Sequence, residues 1–214
     1  MTQRRTTLVV AGLLALTGIL AISTDLLGKT DDLPWHDPAL LDEQPARLSP
    51  AEEALLNPKK LQLLPPERID SETLWLARAI YSESHLPEEQ LLVAWVVRNR
   101  VDTRFRGKRS YEAVVLDPFQ FSAFTPDTTK LPFYSSLDEH SRAPGWQRTL
   151  RIAHTVRSLD PIYRPFSSET RHFFSAISRP NGGAPAWARD LLPVSLPDPY
   201  QVELQRFRFY EGIN

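Results

Sequence analysis

The sequence predicts an α+β domain, mainly helical with a small β-sheet. Three observations predict it. Apolar residues recur at helical spacing through residues 71–101 and again through 145–159. Two later runs, "RHFFSAI" and "QRFRFYE", have strand character, the second through its Arg/Phe alternation. Helices come first and strands later, which is the order of an α+β chain and not of alternating βα units.

The chain opens with a targeting segment. Met1 to Arg5 is short and basic, and Leu8 to Ile22, "LVVAGLLALTGILAI", is uncharged and almost wholly apolar. A run of that length fits a signal-peptide core and falls just short of the roughly 17 residues that span a bilayer. Extending it to Leu27 brings in Asp25. Residues 1–28 therefore read as a cleaved signal peptide or an uncleaved signal anchor, with a buried core helix as the plainer alternative. An anchor would hold the membrane through residues 8–27, with Arg4 and Arg5 inside and the remainder outside. The expected location is the cell envelope or periplasm. Residues 29–66 read as a linker with seven prolines and no glycine, a density that favours extended chain. Within it, Ser49 and Pro50 suit the cap and first position of a short helix through Leu56.

The domain proper is expected over 67–214. Asp70 or Ser71 can cap a helix running to about Ser82, with Leu74, Ala77, Ile80 and Tyr81 on one face. Pro87, Glu88 and Glu89 open the next helix, where acids complement the dipole. That helix runs to Val101 and contains "LLVAWVV" at Leu91–Val97, so it is apolar nearly all round and should be central. Ser110 can cap a short helix to Leu116, and Gly145 to Leu159 repeats helical spacing at Trp146, Leu150, Ala153 and Val156.

Composition removes several function classes. A net charge of −1 gives no basic surface for nucleic acid. With no cysteine, disulfides, thiolate zinc sites and Cys nucleophiles are absent. No Gly-rich nucleotide loop, HExxH or GxSxG occurs, and the histidines are scattered, so no metal or cofactor is expected.

Glu83 stands out. It lies where one amphipathic helix ends and an all-apolar one begins. The plain reading is a solvated loop acid. The functional reading is a carboxyl against apolar walls, whose charged form is disfavoured and whose pKa rises. Such a group suits general-acid work near neutrality, the chemistry of glycoside cleavage.

Three stretches, "LARAIYSESHLPEEQLLVAWVVRNRV", "YEAVVLDPFQFSAF" and "RHFFSA…PAW", resemble the SleB-type cell-wall hydrolases, the family of spore-cortex-lytic enzymes. The matching positions are Ala77, Arg78, Tyr81 and Glu83; Pro87 and Gln90; Val93, Ala94, Val96, Asn99, Arg100 and Val101; Gln120, Phe121 and Ser122; His172 and Phe173; Pro185 and Trp187. The likeness covers roughly residues 72–210. Ser82 stands where the family has Gly, and the segment from Glu83 to Gln90 is about two residues shorter.

The resemblance implies a lysozyme-like fold and cleavage of the MurNAc–GlcNAc bond of peptidoglycan, as a lytic transglycosylase with Glu83 as its single catalytic acid. Glycan strands would be the partner. Gln120 and Ser122 would bond N-acetyl groups or hold Glu83, Tyr81 and Trp187 would stack on sugar or simply pack, and His172 would line the cleft. Asn99 and Arg100 read as structural before sugar-binding, fixing the helix end and pairing with an acid. Glu88, Glu89, Asp102 and Asp117 read as caps or surface charges. A catalytically silent peptidoglycan-binding or scaffold protein stays open beside the enzyme, as does an N-acetylmuramoyl-L-alanine amidase.

Overall fold

A computed structural model describes residues 48–57, 62–178, 183–200, 202–203 and 206–213. Residues 1–28, expected as a signal peptide or anchor, and most of the expected linker 29–66 lie outside the described residues. Among those described, no helix is long and apolar enough to cross a membrane.

The domain is mainly helical, with six α-helices and one two-stranded antiparallel sheet among the described residues. Helix α1 is Pro50–Leu56. Ser49 and Glu52 form a reciprocal capping box at its start. This helix is not a passive part of a tether. Leu55 is buried in the main core, and Glu52 is wholly buried. The Glu52 carboxylate accepts hydrogen bonds from Trp95 Nε1 at 3.3 Å and the Tyr200 hydroxyl at 3.1 Å. The expected linker boundary at residue 66 is therefore corrected: residues 48–57 belong to the packed body. The helix itself was expected from Ser49 and Pro50; what the sequence did not show were the partners far along the chain that anchor it.

Helix α2, Ser71–Glu83, is capped by Asp70, which accepts from the Thr73 amide at 2.8 Å. Helix α3, Pro87–Asp102, is the centre of the molecule, and every residue from Glu89 to Arg100 is buried. It is enclosed by α1, α2, α4 (Tyr111–Val115), α6 (Trp146–Ser158) and β1 (Thr170–Ser175). Ser110 caps α4 through the Ala113 amide. Helix α5, Leu131–Ser136, was not expected; it has no capping side chain and carries Pro132 in its first turn.

Three consecutive side chains at the end of α3 tie it to its surroundings. Arg98 Nη1 donates to the carbonyls of Val156 and Leu159 at 2.6 and 2.7 Å, satisfying the open end of α6. Asn99 Nδ2 donates to the carbonyls of Ser167 and Thr170 at 3.0 and 2.9 Å, and Arg100 Nε to that of Arg171 at 2.7 Å. Asn99 and Arg100 thus tie α3 to β1 and the turn before it, through carbonyls and not through the acid partner expected for them.

Strand β1 pairs antiparallel with β2, Phe207–Glu211, with Phe173 opposite Phe209 and an irregularity between Thr170 and His172. Alternation then sorts the faces. Phe207 and Phe209 enter the main core, while Tyr210 joins Phe174, Ala176 and Ala188 in a second cluster.

Candidate active site

The end of α2 is held with unusual thoroughness. Ser84, the residue after Glu83, leaves the helix in an extended conformation. Its carbonyl accepts from Gln90 Nε2 at 2.7 Å, and Gln90 in turn accepts from the Thr149 hydroxyl at 3.2 Å. Its hydroxyl accepts from the Leu86 amide at 3.0 Å and donates to Glu89. Glu89 also accepts two hydrogen bonds from Arg206, at 2.5 and 3.2 Å.

Glu89 is therefore neither a cap nor a surface charge. It is 1% exposed and joins the Glu83 junction to a residue 117 positions away. Glu89→Ala is expected to cost about 1–2 kcal/mol, because it leaves the buried Ser84 hydroxyl without its acceptor, while Arg206 is exposed enough to return to water. Half-buried Glu88 forms no ion pair among the described residues, and Glu88→Gln should cost only about 0.3–0.5 kcal/mol. Urea unfolding of the two variants separates these values. Asp117 is likewise internal, held between Arg106 at 3.1 Å and Lys108 at 3.2 Å. Asp102 pairs with Arg98 and Arg164.

Glu83 itself is half-buried. Burial pushes its pKa up from 4.5 to about 7, against the opposing pull of Arg100 and Lys130. Desolvation wins because neither cation forms an ion pair with it. Arg100 is 3% exposed, lies over the Phe105 and Phe121 rings, and has a buried Nη1 with no hydrogen-bond partner. Burial lowers its own pKa to about 10, so it stays charged at neutral pH. Tyr134, on α5, senses the Glu83 charge as well: burial, Tyr81 and Glu83 together raise its phenol pKa. The acid thus sits among Arg100, Lys130 and Tyr134, with its proton retained near neutrality.

The remaining predicted residues fall into three places. Gln120 is half-buried and Ser122 exposed, and neither side chain hydrogen-bonds Glu83 or any other described residue. Both remain available to a ligand, and the expectation that they hold Glu83 is not met. Tyr81 is built into the wall. Its hydroxyl donates to the Pro144 carbonyl at 2.9 Å, and its ring packs edge-on against His85, Tyr134 and Trp146. Packing is the larger part of its role.

His172 and Trp187 meet, ring centroids 5.5 Å apart, and Phe105 closes the other side of His172 at 5.2 Å. Burial, with Arg100, Arg171 and Arg106, lowers the His172 pKa to about 4, which keeps the imidazole neutral. Its Nδ1 is buried without a partner. Trp187 is 39% exposed but leans on Phe174 and Tyr210, so only part of its ring is open.

Sequence reasoning did not single out Lys130 and Tyr134, because α5 is only six residues long, has no capping side chain, and offers Pro132 as its one start signal. It also passed over a cleft of about 470 Å³ lined by Tyr81, His85, Gln90, Pro144, Gly145 and Arg148. Among the described residues, no group of three or more His, Asp or Glu side chains is placed to hold a metal ion. No family model, curated protein or solved structure matches the chain.

Proposed function

We propose that this domain cleaves peptidoglycan glycan strands between MurNAc and GlcNAc, as a lytic transglycosylase of lysozyme-like fold related to the SleB-type hydrolases. One observation carries the reading. A half-buried carboxyl at a helix end keeps its proton to about pH 7, while the neighbouring carboxylates Glu89 and Asp117 are committed to cations.

A single acid suffices for this reaction. Glu83 gives its proton to the glycosidic oxygen as the bond to the anomeric carbon breaks. The carboxylate left behind then takes the proton of the muramic C6 hydroxyl, whose oxygen bonds the anomeric carbon and closes a 1,6-anhydro ring. The two proton transfers return Glu83 to its starting state, and no water is consumed. Arg100 and Lys130 would steady the carboxylate between the two steps. Gln120, Ser122, the neutral His172 and the open part of Trp187 are the groups offered to sugar. On this reading residues 1–28 deliver the domain to the outer side of the cytoplasmic membrane, anchored or released.

Mass analysis of muropeptides released from purified sacculi tests the reaction. Anhydro ends, one water lighter than reducing ends, are the expected product. Reducing ends would make the enzyme a hydrolase, and free stem peptides an amidase. A protein that co-sediments with sacculi and releases nothing would be a binding module instead.

A further inference from the structure

The cleft beside α2 is lined by residues on either side of Glu83 in the chain, though not by Glu83 itself. Tyr81 and His85 line it, and each is two residues from Glu83, about 7 Å of chain at most. Its size falls within the range of small-ligand sites. Most of its polar groups are already spent. Gln90 is occupied at both ends by Ser84 and Thr149, and the Tyr81 hydroxyl donates to Pro144.

Arg148 is the exception. Among the described residues no carboxylate lies within ion-pair distance of Arg148, as is true of several other arginines, but Arg148 is the one that lines this cleft. Its one hydrogen bond runs from Nη2 to the His85 carbonyl at 2.9 Å, and its Nε is buried with no partner. The contact with His85 fixes the guanidinium at the cleft, so little side-chain freedom is left to lose on binding. Gly145, at φ +77°, starts α6 on the same cleft with no capping side chain, so the positive end of that helix adds to the field. The walls, Tyr81, His85 and Pro144, are aromatic or apolar rings. A fixed cation over ring walls fits a carboxylate carried on a short, partly aliphatic body.

We propose that this cleft binds a carboxylate of the peptide stem borne by the muramic sugar, with Arg148 as its anchor. The inference rests on the reading of Glu83 as a glycan-cleaving acid, because a stem hangs from the sugar whose bond that acid would attack. The cleft would then distinguish muramic residues that carry a peptide from those that do not.

The test is binding of the soluble tripeptide L-Ala-γ-D-Glu-meso-diaminopimelate to the full-length protein, followed by calorimetry. Wild type is expected to bind it, with at least about tenfold weaker binding for Arg148→Gln and a partial recovery for Arg148→Lys, which keeps the charge but loses the fork. The same tripeptide with its carboxylates amidated should bind wild type at least about tenfold more weakly. Equal binding of the free and amidated peptides, equal binding by wild type and Arg148→Gln, or no binding by wild type overturns the proposal. Should Arg148→Gln fail to fold, the amidated peptide on wild type decides alone. Neither arm requires glycan cleavage. A protein that binds the tripeptide but cuts no sacculus defeats the enzyme and keeps the subsite, and the reverse result does the opposite.

Discussion

Glu83→Gln is expected to lower muropeptide release from sacculi by on the order of 10³–10⁴-fold, since the amide can serve neither as acid nor as base. The same substitution should leave the fold intact and shift its pH response. The folded pKa of Glu83 lies above its unfolded value, about 7 against 4.5. Its favourable contribution is therefore fully present below about pH 4.5 and is lost as pH rises through 7. A displacement of that size corresponds to on the order of 3 kcal/mol. Urea unfolding should find wild type and variant similar near pH 4.5 and the variant more stable at pH 8. In wild type the cleavage rate should fall above pH 7 as the acid loses its proton. Retention of more than a tenth of wild-type activity by the Glu83 variant would remove Glu83 from the mechanism.

Deleting α1 carries the largest expected cost in stability. A chain that begins at residue 62 should be less stable than one that begins at residue 48 by about 4 kcal/mol. Exposure of the groove left by Leu55 contributes about 2 kcal/mol of that. Trp95 Nε1 and the Tyr200 hydroxyl lose their shared acceptor Glu52, which contributes a similar amount. For a domain of this size the melting temperature should drop by roughly 10 °C. Differential scanning calorimetry of the two chains measures it, and equal melting temperatures would mean that α1 adds nothing to the core.

What could be read in advance was local. Asp70, Ser49 and Ser110 cap the helices their sequence positions suggest, because a cap bonds an amide two or three residues away. The unbroken apolar run of α3 has only one environment that suits it. The Arg/Phe alternation of β2 places Phe207 and Phe209 inside. The Glu83 environment was legible in part: burial raises its pKa, as its apolar flanks suggested, while Lys130 and Tyr134 come to it from α5.

Distant partners were not legible. Glu89 has the look of any first-turn acid until Arg206 is brought to it, and Glu52 that of any linker acid until Trp95 and Tyr200 enclose it. Nothing adjacent to Arg148 in sequence says that no carboxylate will reach it. Helix α5 is short and uncapped and buries no residue fully, so neither a cap nor an apolar stripe marked it.

The bond between Glu52 and Tyr200 spans 148 residues, and β2 seals the core from still further along the chain. This has a kinetic consequence. Contacts of such long range form slowly, since a large loop must close before they give any return. α1 is synthesised long before its partners exist, so the nascent chain cannot complete its core until β2 has emerged.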